Sequence, residues 1–283
     1  MPAGRPGRLD VELRPHRTRY DPPVPAVVRL SIAPVKSLAL EHPTEIELTE
    51  EGVLEDRRFY LVDDGGRLVD RLIAGRLVQV GAETDRDGNV LRLTFPDGRI
   101  VDDEVRLGDP IATPMYGQTV LGHGVDGPWA AALAPFAGRR VHLVRTDRPG
   151  AIQAEHPATL VTDGSLAQLG AHLGGAPIDG RRFRMLVELG DGAAHEEDTW
   201  IGRRIELGDV VLRVRKPVAR CAITTQDPDT GVRDLDTLRA IIGYRGLRDR
   251  EFVDFGVWAE VERAGTIRLG DKVVVLDAGA KTA

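Results

Sequence analysis

One thiol stands out: Cys221, in the stretch RCAITTQDPDTG at residues 220–231, is the only cysteine in a chain of 283 residues. Arg215, Lys216 and Arg220 lie just upstream of it, hydroxyls and acids just downstream. A cationic setting favours the thiolate, the form that attacks electrophiles and ligates metals. A lone cysteine also serves as a small buried hydrophobe, and the residues alone leave both readings open. Thr224, Thr225 and the Asp227-Pro228-Asp229 turn suit a polar ligand or an ordinary loop closure equally well.

Other chemistries find less support. The seven histidines show no H-x-x-x-H or H-E-x-x-H spacing, which argues against a zinc hydrolase. Neither G-x-x-x-x-G-K-[ST] nor a strand-linked G-x-G-x-x-G occurs, so the common nucleotide-binding loops are absent. One cysteine excludes an internal disulfide or a cysteine cluster held by this chain alone, and it fits a reducing cytoplasm. A net charge of -6, with acids and bases interspersed, argues against a general nucleic-acid binder. No apolar run approaches the roughly 20 residues of a spanning helix, so no membrane association is expected. Residues 1–25 carry five arginines and no apolar signal core, and they read as a disordered tail. Asp10, Glu12 and Asp21 argue against a transit peptide there.

The elements that must position Cys221 are mostly strands. VVRLSIAPVKS and TEIELTEEGV alternate apolar and polar residues, and RRFYLVDDGGRLVD and NVLRLTFPDGRIVD read as hairpins. Helices are expected at Trp129–Phe136, in TDGSLAQLGAHLGG with Asp163 or Ser165 as cap, and in DLDTLRAII up to Gly243. A Gly-Asp turn recurs in VRLGDPIA, IELGDVVLRV and IRLGDKVVVL, each time expected to join two strands of a hairpin. Pro217 cannot donate to a ladder, so the strand VVLRVRKPVA should end or bulge just before Cys221, placing the thiol at a strand end. The fold class is therefore mainly β with some α, as two β-rich domains, the second a barrel decorated with short helices.

The order of APVKS (33–37), DRRFYLVD (56–63), RRFR (181–184) and RCAITTQDPDTG (220–231) resembles that of the two-domain MOSC proteins, the family that includes the amidoxime-reducing components. The resemblance spans about residues 26 to 278 and is most specific in the cysteine segment. It implies a small N-terminal MOSC β-barrel at 26–124 and a β-barrel MOSC domain at 125–278. It also implies a molybdenum cofactor, a pterin carrying the metal, with Cys221 as the metal ligand and catalytic residue. Lys36, Ser37, Arg57, Arg184 and Arg220 would hold that cofactor, cations meeting its phosphate. The chain departs from the family pattern at Leu186, at Ala219 and at Glu155-His156-Pro157. The activity implied is reduction of small N-hydroxylated or related N–O substrates. Because the sequence shows no cysteine set for an iron–sulfur cluster and no flavin or haem signature, electrons would come from a separate reductase, a flavoprotein or a ferredoxin-like protein. The alternative is a non-catalytic carrier of the cofactor or of sulfur.

Overall fold

The computed structural model describes residues 24–152 and 156–276. The expectation for residues 1–25 thus falls outside the described residues up to residue 23, as does Glu155. The first half contains β1 (Ala26–Leu30), β2 (Glu45–Leu48), β3 (Phe59–Val62), β4 (Leu68–Val69), β5 (Gly81–Thr84), β6 (Val90–Thr94), β7 (Ile100–Glu104), β8 (Arg106–Met115) and β9 (Gln118–Asp126). Then come α1 (Trp129–Ala137), β10 (His142–Thr146), β11 (Ala158–Thr162), α2 (Asp163–His172) and β12 (Val187–Gly190). The chain ends with β13 (Arg204–Leu207), β14 (Val210–Ala219), α3 (Thr237–Arg245), β15 (Asp254–Arg263), β16 (Gly265–Arg268) and β17 (Val273–Leu276).

A seven-stranded sheet, ordered β1-β12-β11-β15-β14-β13-β17, forms the larger body. Its two end strands meet: Ala26 bridges Lys272, and Val273 N–H donates to the Pro25 carbonyl at 2.8 Å. That contact closes the sheet toward a barrel and leaves no long free edge there. Its core is aliphatic, with Leu30, Leu160, Val187, Ile205, Leu212 and Val257 all fully buried. The smaller body packs the five-stranded sheet β4-β3-β10-β9-β8 and the three-stranded sheet β5-β6-β7 around α1. Trp129 of α1 fills that core and donates its indole N–H to the Leu91 carbonyl at 2.8 Å, which satisfies the buried polar tip. Pro110 and Pro114 lie on β8, the sheet's edge strand, where missing N–H donors cost nothing.

Strands cross between the two bodies. β1 pairs with β12 and β2 with β16, so β1 and β2 contribute to the larger body, while β10 pairs with β3 and β9 in the smaller one. The segment joining β1 to β3 consequently runs along the seam between the bodies.

Several local expectations change. Only the middle Gly-Asp pair turns a hairpin, between β13 and β14. Gly108-Asp109 forms a bulge inside β8, and Gly270-Asp271 carries the chain from β16, paired with β2, to β17, paired with β13. The dipeptide supplies the bend, and the partner strand is chosen by long-range packing. Thr162, one residue earlier than expected, caps α2 by accepting from Ser165 N–H, while the Asp163 carboxylate accepts from the N–H groups of Asp191 and Gly192. α3 runs through Gly243 and stops at Gly246, whose φ of 76° no β-carbon residue adopts cheaply. The strand before the cysteine bulges twice near Pro217 and continues to Ala219.

Candidate functional site

A cleft of about 400 Å³ opens at the seam. Lys36, Ser37, Arg57, Arg184, Arg220 and Cys221, the residues singled out in sequence, all line it. They come from four separated segments, so folding has brought together what 185 residues of chain separate.

Backbone lacing explains how. Ala33 N–H donates to Asp56 Oδ1 at 2.7 Å, Arg57 N–H to the Ala33 carbonyl at 2.8 Å, and Lys36 N–H to the Phe59 carbonyl at 2.7 Å. The PVKS and DRRF segments are thereby locked side by side. Ser37 (φ 77°), Arg57 (51°) and Arg184 (51°) all hold left-handed backbone, as does Tyr116 (52°) on the cleft rim. Such a conformation costs a non-glycine residue about 1–2 kcal/mol and gathers where side chains must be aimed. Four of the eight described non-glycine residues of this kind line the one cleft.

Cys221 is exposed and follows the end of β14, at the head of a 3-10 turn (Ala222–Thr225). The hydroxyls after it close the loop. Thr224 donates to the Cys221 carbonyl, Thr225 to the Ala222 carbonyl at 2.7 Å, and Thr230 to Asp227 at 2.8 Å. Gly231 closes the segment at φ 73°, its backbone so near Gly75 that a β-carbon would lie 2.0 Å from the Gly75 carbonyl oxygen. The conspicuous polarity of TTQDPDTG therefore shapes the turn that presents the thiol.

The arginines divide by what they touch. Arg220 gives Nε–H to the Phe255 carbonyl at 2.8 Å and another N–H to the Phe183 carbonyl at 3.1 Å, and its third nitrogen meets the Met185 sulfur. It lines the cleft but ties β14 to β15 and to the RRFR turn. Arg182 is buried and grips Asp234 through both terminal nitrogens at 2.6 Å, and Arg181 pairs with Asp179 and Asp229. Arg58 turns away to Thr146 of β10. Arg57 pairs with Asp56 and reaches the Arg184 carbonyl. Arg184 keeps a buried terminal nitrogen with no hydrogen-bond partner.

Sequence reading passed over Arg71, which is 1% exposed and lines the same cleft. Its Nε donates to Gln226 Oε1, and Gln226 Nε2 donates back to the Arg71 carbonyl, both at 2.8 Å. Both of its terminal nitrogens lack partners. Tyr116 at the β8–β9 turn was missed too; the Lys36 ammonium lies 5.0 Å from its ring centre. A lone arginine after a hairpin and a tyrosine in a two-residue turn carry no sequence signal of their own.

These cations crowd one another. Burial, then Arg57, pulls the Lys36 ammonium down to about 8. Burial, then Arg182, lowers Arg71 to about 10. Burial, then Arg71 and Arg57, holds Arg184 well below its ordinary value. In a protein of net charge -6, the cleft concentrates unpaired positive charge, the arrangement that draws in and holds an anion. Ile152, Leu186, Met185 and Ala219 supply apolar wall, and His156 packs edge-on against Trp258 at 4.9 Å.

The fold and cleft define a pair of joined β bodies with a cationic, thiol-bearing seam. The sequence matches the MOSC domain family over residues 136–274 and the MOSC N-terminal beta barrel domain over residues 24–127. The chain belongs to the MOSC-domain proteins with an N-terminal MOSC β-barrel. It is 26% identical to mitochondrial amidoxime-reducing component 1 of Mus musculus, covering 93% of this chain and 86% of that protein. Identity to mitochondrial amidoxime reducing component 2 of Homo sapiens is 26%, over 92% of this chain and 86% of the relative. A molybdenum cofactor sulfurase of Caenorhabditis briggsae is 24% identical over 85% of this chain and 34% of its own length. Among the described residues, no helix is long and apolar enough to cross a membrane.

Proposed function

We propose that this protein is a molybdenum-cofactor oxidoreductase that reduces N-hydroxylated or related N–O compounds with electrons from a separate reductase. The observation that carries the reading is the pairing, in one cleft, of an exposed thiol with buried cations whose nitrogens lack partners. Among the described residues no three His, Cys, Asp or Glu side chains converge on a metal position. A metal here would therefore arrive with most of its own ligands, on a group that also carries an anion. A pterin cofactor ending in phosphate meets both conditions, and a soft thiolate suits its metal.

In this reading Cys221 is the single protein ligand, and Lys36, Arg57 and Arg184 neutralise the phosphate. Ser37 sets the turn that aims Lys36, and Arg220 positions Cys221 relative to Arg184. When bound, the cofactor would supply two-electron oxygen-atom transfer. The chain's own part is to orient the group, hold its charge in a partly dry cleft and leave the thiol side open to a small substrate. A cytoplasmic location is part of the proposal; the relatives above are named for mitochondria.

The test is protein purified from a host that makes the cofactor, analysed for molybdenum and pterin fluorescence and assayed for N-hydroxy reduction with a supplied electron donor. Stoichiometric metal with turnover supports the reading. Cofactor without turnover favours a carrier or sulfur-handling role, a reading to which the sulfurase relative lends support. Metal and pterin at background levels overturn both.

A further inference from the structure

We propose that Arg71, held by Gln226, is a further anion-binding residue of this cleft and acts with Arg184 to take a phosphate-class tetrahedral dianion. The proposal deepens the cofactor reading and rests on it for the dianion's source, though not for the binding itself.

A guanidinium has five donors in a fixed plane. In Arg71 the Nε–H is used by Gln226, and the Gln226 amide returns a bond to the Arg71 backbone, so this side chain is fixed at both ends. What remains is the outer fork, whose two terminal nitrogens are buried and unpartnered. Arg71 has no ion pair among the described residues, and Arg184 in the same cleft keeps a buried unpartnered nitrogen of its own. Like charge from Arg71 is, after burial, the largest cause of the lowering at Arg184. Leaving buried donors unpaired is costly, and two neighbouring cations make it costlier. A dianion with several acceptor oxygens can meet the Arg71 fork and the free Arg184 nitrogen together, whereas chloride offers no directional acceptors and a carboxylate is used up by one fork.

The partner arrangement gives Arg71 a second consequence. Arg71 follows β4 in the smaller body, while Gln226 follows the 3-10 turn headed by Cys221. A dianion on Arg71 therefore anchors the thiol loop to the smaller body through Gln226, and the Gly75–Gly231 backbone contact lies beside that link.

The probe is inorganic phosphate on cofactor-free protein, compared with chloride at equal ionic strength, read as thermal shift and by calorimetric titration. The wild type should be stabilised by phosphate. Arg71→Met and Arg184→Met should each weaken phosphate binding on the order of tenfold or more, and Arg71→Lys, which keeps the charge without the fork, should fall between. Should Arg71→Met fail to fold, Arg71→Lys decides the matter. An unchanged phosphate affinity in Arg71→Lys together with either a folded, unchanged Arg71→Met or its failure to fold overturns the proposal. Pterin retained by wild type and lost from the Arg71 variants identifies the cofactor as the source. Phosphate binding that depends on Arg71 in a protein that never carries pterin keeps this inference and removes the cofactor reading. Pterin retention and phosphate binding both indifferent to Arg71 keep the cofactor reading and remove this inference.

Discussion

Replacing Lys36 by Met should make the ligand-free protein more stable and a poorer anion binder. The ammonium is half-buried beside Arg57, and its pKa falls from 10.5 to about 8. At about 1.4 kcal/mol per pH unit, that drop corresponds to an unfavourable term of about 3 kcal/mol when the group is charged. Residual solvent contact and the lost Tyr116 stacking, worth about 0.5–1 kcal/mol, reduce the expected net gain to about 1–2 kcal/mol. In a chain of this length that is a rise of about 2–8 °C in Tm at pH 7. The pH dependence is the sharper signature. Below pH 8 both folded and unfolded Lys36 carry the proton, and the full cost is present. Between about 8 and 10.5 the unfolded chain binds a proton that the folded protein does not, so wild-type stability rises with pH across that window. The advantage of Lys36→Met should therefore shrink through that window and vanish above it. Denaturant unfolding at pH 7, 9 and 10.5 measures this, and phosphate titrations of the wild type should show affinity falling as pH passes 8. A variant less stable than wild type at pH 7, or a stability difference that ignores pH, refutes the buried-cation argument.

Cys221→Ser should leave Tm within about a degree, because the thiol is exposed, while molybdenum content and N-hydroxy reduction collapse; parental turnover would remove Cys221 from the metal. Gly231→Ala places a β-carbon against the Gly75 carbonyl and on a left-handed backbone, so urea unfolding should show a loss of about 2–4 kcal/mol. A loss under half a kcal/mol would contradict the close approach. Arg182→Met leaves Asp234 without its buried bidentate partner; a cost of about 1–3 kcal/mol is expected, with faster limited proteolysis between residues 227 and 236, and an unchanged cleavage rate would mean the pair does not hold the loop.

Strand periodicity made the hairpins β3–β4 and β6–β7, the helix α1 and the strand leading to Cys221 legible in sequence, because each is fixed by local alternation and turn residues. The crossing of β1 and β2 into the larger body was not legible, since pairing with β12 and β16 is chosen by contacts more than 150 residues away. The Gly-Asp repeats show the same limit: one dipeptide yields a hairpin, a bulge and a corner according to which strand lies opposite. At the site, motif order named the segments, and the structure sorted residues within them. RRFR contributes Arg184 with its free nitrogen to the cleft, while Arg181 and Arg182, the latter also lining the cleft, hold the loop that follows Cys221. Arg71 and Gln226 escaped notice because their meaning lies wholly in a contact spanning 155 residues.

The sorting follows a physical rule that reaches beyond the motifs. Acids outnumber bases in this chain, 44 to 38, and most arginines of the larger body are matched by a carboxylate. In the cleft the match is broken: Arg57 and Arg182 have carboxylate partners, Asp56 and Asp234, whereas Lys36, Arg71 and Arg184 have none within ion-pair range among the described residues. Supplying those carboxylates would compete with anion binding, since a paired guanidinium has fewer donors free and its charge is already partly balanced. The strained backbone at Ser37, Arg57 and Arg184 points the same way, because strain and unpaired charge both lower stability and both occur at one place. The unpaired charge would be offset by the arrival of a dianion, which should stabilise the folded state by an amount that grows logarithmically with its concentration. A thermal shift that rises with phosphate, saturates, and disappears in an Arg71→Met Arg184→Met double variant is the behaviour this arrangement demands. A double variant that shifts as the wild type does would place the anion elsewhere and return these arginines to a purely structural role.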